Sequence, residues 1–204
     1  MTDTVAPTPP ASVDALLERS LKDIGIPPRP AILERIAAEM AREEPDFQRL
    51  AGIIGADVGL AAGLVKTANS PFFGGRSRVR SVKEALITLG LDVAGRAVAG
   101  LILRKVFPAS LRLERFWDAS ARVAQLSGWL AQRTGHHKLR ADDAYTYGLF
   151  RDCGIPVLLM RFPGYAKVLA EANAEPERAF TAVEDAHLPT NHAMVGCLLA
   201  QSWW

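Results

Sequence analysis

Apolar residues recur three and four positions apart along most of the chain, and each run is bracketed by a residue that caps or breaks a helix. Leu16, Leu17, Leu21 and Ile24 follow Ser12 and stop at Gly25. Ile32, Ile36 and Met40 follow the rigid Pro27-Pro28-Arg29-Pro30 connector. Asp46 precedes Phe47, Leu50, Ile53 and Ile54, while Asp57 precedes Leu60, Ala61, Leu64, Val65 and Ala68. Asn69-Ser70-Pro71 stops that last run. This spacing buries one stripe of a helix, whereas a half-buried strand needs strict alternation. The apolar residues themselves agree: 32 Ala and 24 Leu stand against 23 Val and Ile together. The fold expected is all-α.

The pattern continues past residue 70. Ser81 caps Val82, Ala85, Leu86 and Leu89, and Gly90 terminates them. Leu91 to Phe107 forms one more helix, in which Gly95 and Gly100 mark close helix contacts. Pro108 to Leu113 is expected to be a hinge between two helical lobes, 12–107 and 108–204, preceded by an unstructured lead at 1–11. From Glu114 a long helix carries Phe116, Ala119, Val123, Leu126 and Leu130 as its expected buried stripe, and Gly135 ends it. Asp142 opens a helix through Tyr145, Leu149 and Phe150. Ile155 to Met160 fits a buried strand or a buried helical turn, and its helical neighbours favour the latter. Pro163, Pro176 and Pro189 are expected to start the remaining helices. Trp203 and Trp204 end the sequence, two large apolar residues expected to pack inward or to lead into further chain.

Several classes of protein are disfavoured by simple arithmetic. With 49% apolar residues and a net charge of +2, the chain can bury a core and does not repel itself into disorder. The longest clean apolar stretch, Ala97 to Leu103, is too short for a membrane span, which needs about 20 residues. Met1 to Pro10 has no basic and no apolar segment of a secretion signal, and Cys153 and Cys197 make no disulfide framework. A reduced, cytoplasmic protein is expected. The small net charge hides a basic middle: residues 76–122 hold ten Lys and Arg against four acids, whereas residues 1–57 hold ten acids against six bases. Arg76, Arg78, Arg80 and Lys83 make a candidate anion face, although a solvated loop balanced by the acidic lobe is the preferred reading. Phe72 and Phe73 beside it fit a core plug better than a docking tip.

Metal-ligand spacing is poor throughout. His136 and His137 are adjacent after Gly135 and read as a solvated turn. His187 and His192 are separated by Pro189 and do not make a helical ligand pair. There is no CxxC, HExxH, Walker loop or nucleophile elbow. One segment stands out: Tyr147-Gly148-Leu149-Phe150-Arg151-Asp152-Cys153-Gly154-Ile155 sets an Arg-Asp pair between apolar flanks. Those flanks predict a largely buried pair, in which Asp152 is either a structural acid or the remnant of a metal site.

That segment resembles the "G-L-L-H-D-I-G" signature of the HD-type metal-dependent phosphohydrolases, and more closely the related HDOD output domains of bacterial signalling proteins. Four further stretches fall in the same order: Asp57 through Leu64 to Ala68-Asn69-Ser70; Ser81 through Leu86 to Leu89-Gly90; Phe116-Trp117-Asp118-Ala119-Ser120; and His192, Gly196, Leu199 and Trp203. The resemblance covers about residues 18–204 and implies an HD-like C-terminal half. It also implies where metal ligands would stand in an enzyme. Ala119 occupies the first His position, Arg151 replaces the doublet's His, and only Asp152 persists, with His192 at a further family position. Ala119 has no donor atom and Arg151 is a permanent cation. A catalytic divalent ion usually needs about three protein ligands. Arg151 or another cation is therefore expected to neutralise Asp152.

The expected function is a non-catalytic signalling or regulatory module without cofactors, acting through contacts with other signalling proteins and not with membranes. Asn69, Phe72, Phe73, Arg76, Arg78 and Arg80 are its candidate interaction residues. Two rivals remain: a residual metal-dependent phosphohydrolase using Asp152 and His192, and a nucleotide or nucleic-acid binder using the Arg76–Lys83 loop, nucleic acid being the less favoured partner.

Overall fold

The structure is a computed structural model that describes residues 24–75, 77–135 and 140–203. The lead at 1–11, the helix expected from Ser12, Arg76, His136, His137 and Trp204 lie outside the described residues. Eleven α-helices and one short 3-10 turn occupy the described residues, which contain no strand. The first five are α1 (Ala31–Met40), α2 (Phe47–Gly55), α3 (Val58–Ala68), α4 (Val82–Leu89) and α5 (Leu91–Val106). After the 3-10 turn Ala109–Leu111 come α6 (Glu114–Thr134), α7 (Ala141–Phe150), α8 (Gly154–Arg161), α9 (Tyr165–Ala174), α10 (Phe180–His187) and α11 (His192–Trp203).

Local chemistry sets many of these boundaries. Asp46 accepts from the Gln48 and Arg49 amides at 2.8 and 3.1 Å, and Asp57 from the Leu60 amide at 3.0 Å. Ser81 accepts from the Glu84 amide at 3.1 Å. Gly90 and Gly135 end α4 and α6 with φ of 73° and 59°, where a side chain would be strained. Ile155 to Met160 is helical, as its neighbours suggested. The prolines are displaced from the expected starts: α9, α10 and α11 begin two or more residues after Pro163, Pro176 and Pro189, which lie in the preceding turns and connections. Pro108 to Leu113 is a compact turn in which Arg112 takes the left-handed conformation (φ 47°) and Leu111 and Leu113 pack on the core.

One continuous apolar core runs from Leu33 on α1 to Trp203 on α11. α5 crosses its middle as an unbroken helix whose glycines receive neighbouring side chains. A Cβ at Gly95 would lie 3.0 Å from Met40, and one at Gly100 would lie 2.8 Å from Leu149. Arg96 also joins α5 to α7, pairing with Asp143 at 2.8 Å and holding that carboxyl below its usual range. Trp203 is buried, and its indole N–H donates to the Pro27 carbonyl at 3.0 Å. The end of α11 is thus stitched to the segment before α1.

The long helix α6 departs from expectation. Its buried residues are Ser120, Ala124, Gly128 and Ala131, not the larger Ala119–Leu130 stripe. Leu126, Trp129 and Leu130 are 59%, 46% and 53% exposed. α7 lies so close on the small-residue face that a Cβ at Gly148 would sit 2.8 Å from the Ala124 Cα. Large side chains would hold the two helices apart, so the small stripe faces inward and Leu126 and Leu130 face out, while Phe116 of the expected stripe still packs partly on the core.

Candidate functional site

Four helices bring a polar chain together around Asp152. Gly154 opens α8 and Gly196 lies one turn into α11, and the two helices cross there backbone to backbone. A Cβ on Gly154 would lie 2.1 Å from the His192 carbonyl oxygen, and one on Gly196 would lie 3.3 Å from the Gly154 nitrogen. This crossing sets His192 at the start of α11 beside Asp152 in the α7–α8 turn. His192 Nε2 is 3.7 Å from Asp152 Oδ1. On the other side, His192 Nδ1 meets Glu184 Oε2 of α10 at 2.6 Å, and the His192 amide donates to the same oxygen at 3.1 Å. The Tyr165 hydroxyl of α9 donates to Glu184 Oε1.

Glu184 is fully buried, and burial alone would raise its pKa. The hydrogen bonds from His192 and Tyr165 outweigh burial and hold it below the usual glutamate range. An ionised carboxylate only accepts, so His192 Nδ1 carries the proton of that contact. The Tyr165 hydroxyl is pushed upward, first by burial and then by Glu184. Arg151 Nε donates to Asp152 Oδ2 at 2.9 Å. Asp152 is consequently flanked by a guanidinium and an imidazole. The Arg-Asp pair is more open than expected, with side chains 48% and 26% exposed. It sits in the turn after α7, where the apolar flanks point inward without covering it. Beside it, burial lifts the Cys153 thiol to about 12, and its sulfur lies 3.7 Å from the Gly196 carbonyl oxygen.

This donor set does not fit a divalent metal. His192 has spent one nitrogen on Glu184, and the other faces an acid already bonded to Arg151. Among the described residues no group of three or more His, Cys, Asp or Glu is arranged to hold a metal ion.

A second feature lies between α3, α5, α6 and the 70–80 loop: a groove of about 1380 Å³. Leu60, Leu101 and Tyr145 contribute apolar surface, and Trp117 and Asp118 line its α6 side. Lys66, Arg78, Arg80, Arg104 and Lys105 bring positive charge. The loop that carries two of those arginines is clasped by Asn69. Its amide nitrogen donates to the Val79 carbonyl at 2.8 Å, and its oxygen accepts from the Val79 amide at 2.9 Å. Phe72 stacks on Tyr145 with centroids 5.6 Å apart and fills the space over Gly128, and Phe73 meets the same Tyr145 ring edge-on at 4.9 Å.

A model of the HDOD domain matches residues 26–204. The chain belongs to the HDOD family. An uncharacterized protein of Treponema pallidum (strain Nichols) is 30% identical over 188 residues, covering 87% of this chain and 35% of that protein. A crystal structure of an HDOD domain protein with unknown function from Geobacter sulfurreducens is 28% identical with a TM-score of 0.64, covering 92% of this chain and 64% of that one. A protein of Shewanella amazonensis SB2B, named as a candidate phosphohydrolase, shares the fold with a TM-score of 0.68 at 24% identity, covering 90% of this chain and 65% of that one. The chain spans about a third of the Treponema relative and under two thirds of these solved chains.

The sequence positions singled out fall into different places in this HDOD domain. Ala119 is exposed on α6 and offers no donor, while Arg151, Asp152 and His192 do meet. Phe72 and Phe73 plug the loop, Asn69 holds it and also lines the groove, and Arg78 and Arg80 line the groove. Sequence reasoning missed Glu184 and Tyr165, because the adjacent acids Glu184 and Asp185 in Thr181-Ala182-Val183-Glu184-Asp185 read as a solvated helix face. It also missed Lys66, Arg104 and Trp117 as companions of the loop arginines, since they come from three separate helices.

Proposed function

We infer that this HDOD domain is a non-catalytic signalling module that works in the cytoplasm through contacts with other signalling proteins. The observation that carries this reading is the Arg151–Asp152–His192–Glu184 chain, in which each acid already faces a guanidinium or an imidazole, while among the described residues no group of three or more His, Cys, Asp or Glu is arranged to hold a metal ion. Catalysis by a bound metal ion needs an open position for water or substrate. In this reading, residues 108–204 are a degenerate HD-like lobe whose former metal site has become a structural clamp. Residues 12–107 are the second lobe, and the Pro108–Leu113 turn is where the two shift relative to each other. The exposed Leu126, Trp129 and Leu130 on α6 support contact with a partner, because these large apolar side chains lie side by side at the surface, with the Arg133 guanidinium over the Trp129 ring 5.1 Å from its centroid.

The test joins chemistry to signalling. Purified protein dialysed against Mn²⁺, Fe²⁺ and Mg²⁺ is assayed for bound metal and for hydrolysis of bis(p-nitrophenyl) phosphate. Substoichiometric metal and no turnover above buffer are expected. In the native host, Leu126→Glu with Leu130→Glu should abolish the signalling output, while Asp152→Asn should leave most of it. Stoichiometric metal with turnover lost in Asp152→Ala would replace this reading with the phosphohydrolase.

A further inference from the structure

The groove between α3, α5 and α6 has a charge arrangement that folding alone does not account for. Of its five cations, only Lys105 is engaged, by Asp57 of the α3 cap. Lys66, Arg78, Arg80 and Arg104 make no ion pair with any described residue, although each lines the same space. Among the described residues, Asp118 is the single acid lining the groove. Four cations against one acid leave a positive surplus concentrated in a concavity, where the low-dielectric walls strengthen it.

Two further groups favour an organic anion over bare phosphate. Trp117 lines the groove and is held by two rings, Phe116 at 4.8 Å in a T-shaped contact and Phe107 at 6.1 Å, tilted by 31°. It thus offers a fixed aromatic surface beside the cations. Ser70 also lines the groove, and its hydroxyl oxygen is buried without a hydrogen-bond partner among the described residues. A buried unpaired hydroxyl costs free energy that a ligand atom can recover. The volume, about 1380 Å³, exceeds the roughly 300–1000 Å³ of an ordinary small-molecule pocket and leaves room for a ligand of nucleotide size.

We propose that this groove binds a nucleotide carrying at least two phosphate groups. Arg78, Arg80, Lys66 and Arg104 hold the phosphates, since guanidinium and ammonium donors make the strong charge-assisted bonds that phosphate oxygens accept. Trp117 stacks on the base. The Asn69–Val79 clasp keeps the two loop arginines in place before the ligand arrives, which reduces the ordering cost of binding. This reading goes beyond the protein-contact role and does not rest on it.

The experiment is isothermal titration of the purified chain at 50 mM salt with four probes: ATP, sodium tripolyphosphate, adenosine and a single-stranded 12-mer oligonucleotide. ATP should bind at one site, more tightly than tripolyphosphate, and adenosine should bind at least tenfold more weakly than ATP. Arg78→Ala combined with Arg104→Ala, both exposed and without an ion pair among the described residues, should weaken ATP binding at least tenfold with the thermal melt unchanged. Trp117→Phe should weaken ATP binding severalfold and leave tripolyphosphate within twofold. Absence of ATP binding overturns the proposal. So does tripolyphosphate binding as tightly as ATP with no effect of Trp117→Phe, which would mean a simple anion site. Tighter binding of the oligonucleotide, with a steep loss as salt rises, would reassign the groove to nucleic acid.

Discussion

Gly154 and Gly52 show how much the surroundings of one residue decide. A Cβ at Gly154 would strike the His192 carbonyl at 2.1 Å, and backbone cannot step aside there. Gly154→Ala should therefore cost about 3 kcal/mol or more and lower the thermal midpoint by many degrees. Gly52 sits inside α2 with nothing within 4 Å of that position. Gly52→Ala should stabilise by roughly 0.4–1 kcal/mol, because it removes freedom from the unfolded chain. Thermal melts of the two variants should move in opposite directions. Glu184 makes a second prediction at this scale. Its folded pKa is lowered, so its ionised form stabilises the fold above the ordinary glutamate value of 4.5, and that contribution disappears as pH falls through the folded value. Glu184→Gln should cost about 3 kcal/mol near neutral pH, as for a broken buried charge network. The gap from the parent chain in urea unfolding should narrow steadily from pH 5 to pH 3. A constant gap would mean that the carboxylate's charge plays no part.

At the level of single helices, caps were the most legible feature. Asp46, Asp57, Ser81, Gly90 and Gly135 each act where the sequence puts them, because a cap depends on neighbours two or three residues away. The buried face of α6 was not legible for the opposite reason. Two stripes compete on that helix, one of Phe, Val and Leu and one of Ser, Ala and Gly, and the choice is made by how closely α7 approaches. The same distance limit hid Glu184 and Tyr165, whose partner His192 lies on another helix. Inverting the usual substitution logic tests the helix. Leu126→Glu and Leu130→Glu should leave the unfolding free energy within about 0.5 kcal/mol of the parent, as for ordinary surface positions. Ala124→Leu, with a smaller chemical change but a fully buried site, should destabilise by roughly 1–3 kcal/mol.

For the molecule as a whole, the continuous core and the Trp203–Pro27 bond argue for unfolding as one unit. Urea unfolding followed by tryptophan fluorescence and by far-ultraviolet circular dichroism should give coincident single transitions. Trp203→Ala should cost about 3–5 kcal/mol, since it removes a buried aromatic and frees the Pro27 carbonyl. Two separated transitions would mean instead that the halves joined at Pro108–Leu113 are energetically independent. The Asn69 clasp has its own consequence at this scale. It closes the segment between Asn69 and Val79 at its base, and the Phe72 and Phe73 rings pin its first half. The free energy of closing a loop rises only by about 0.6 kcal/mol when its length doubles. Ser77 and Arg78 can therefore be recharged, and residues inserted beside them, at small cost to the scaffold, whereas a Cβ on Gly74 would lie 2.8 Å from the Ser70 carbonyl oxygen. Evolution can retune the groove's rim there while every helix stays where it is.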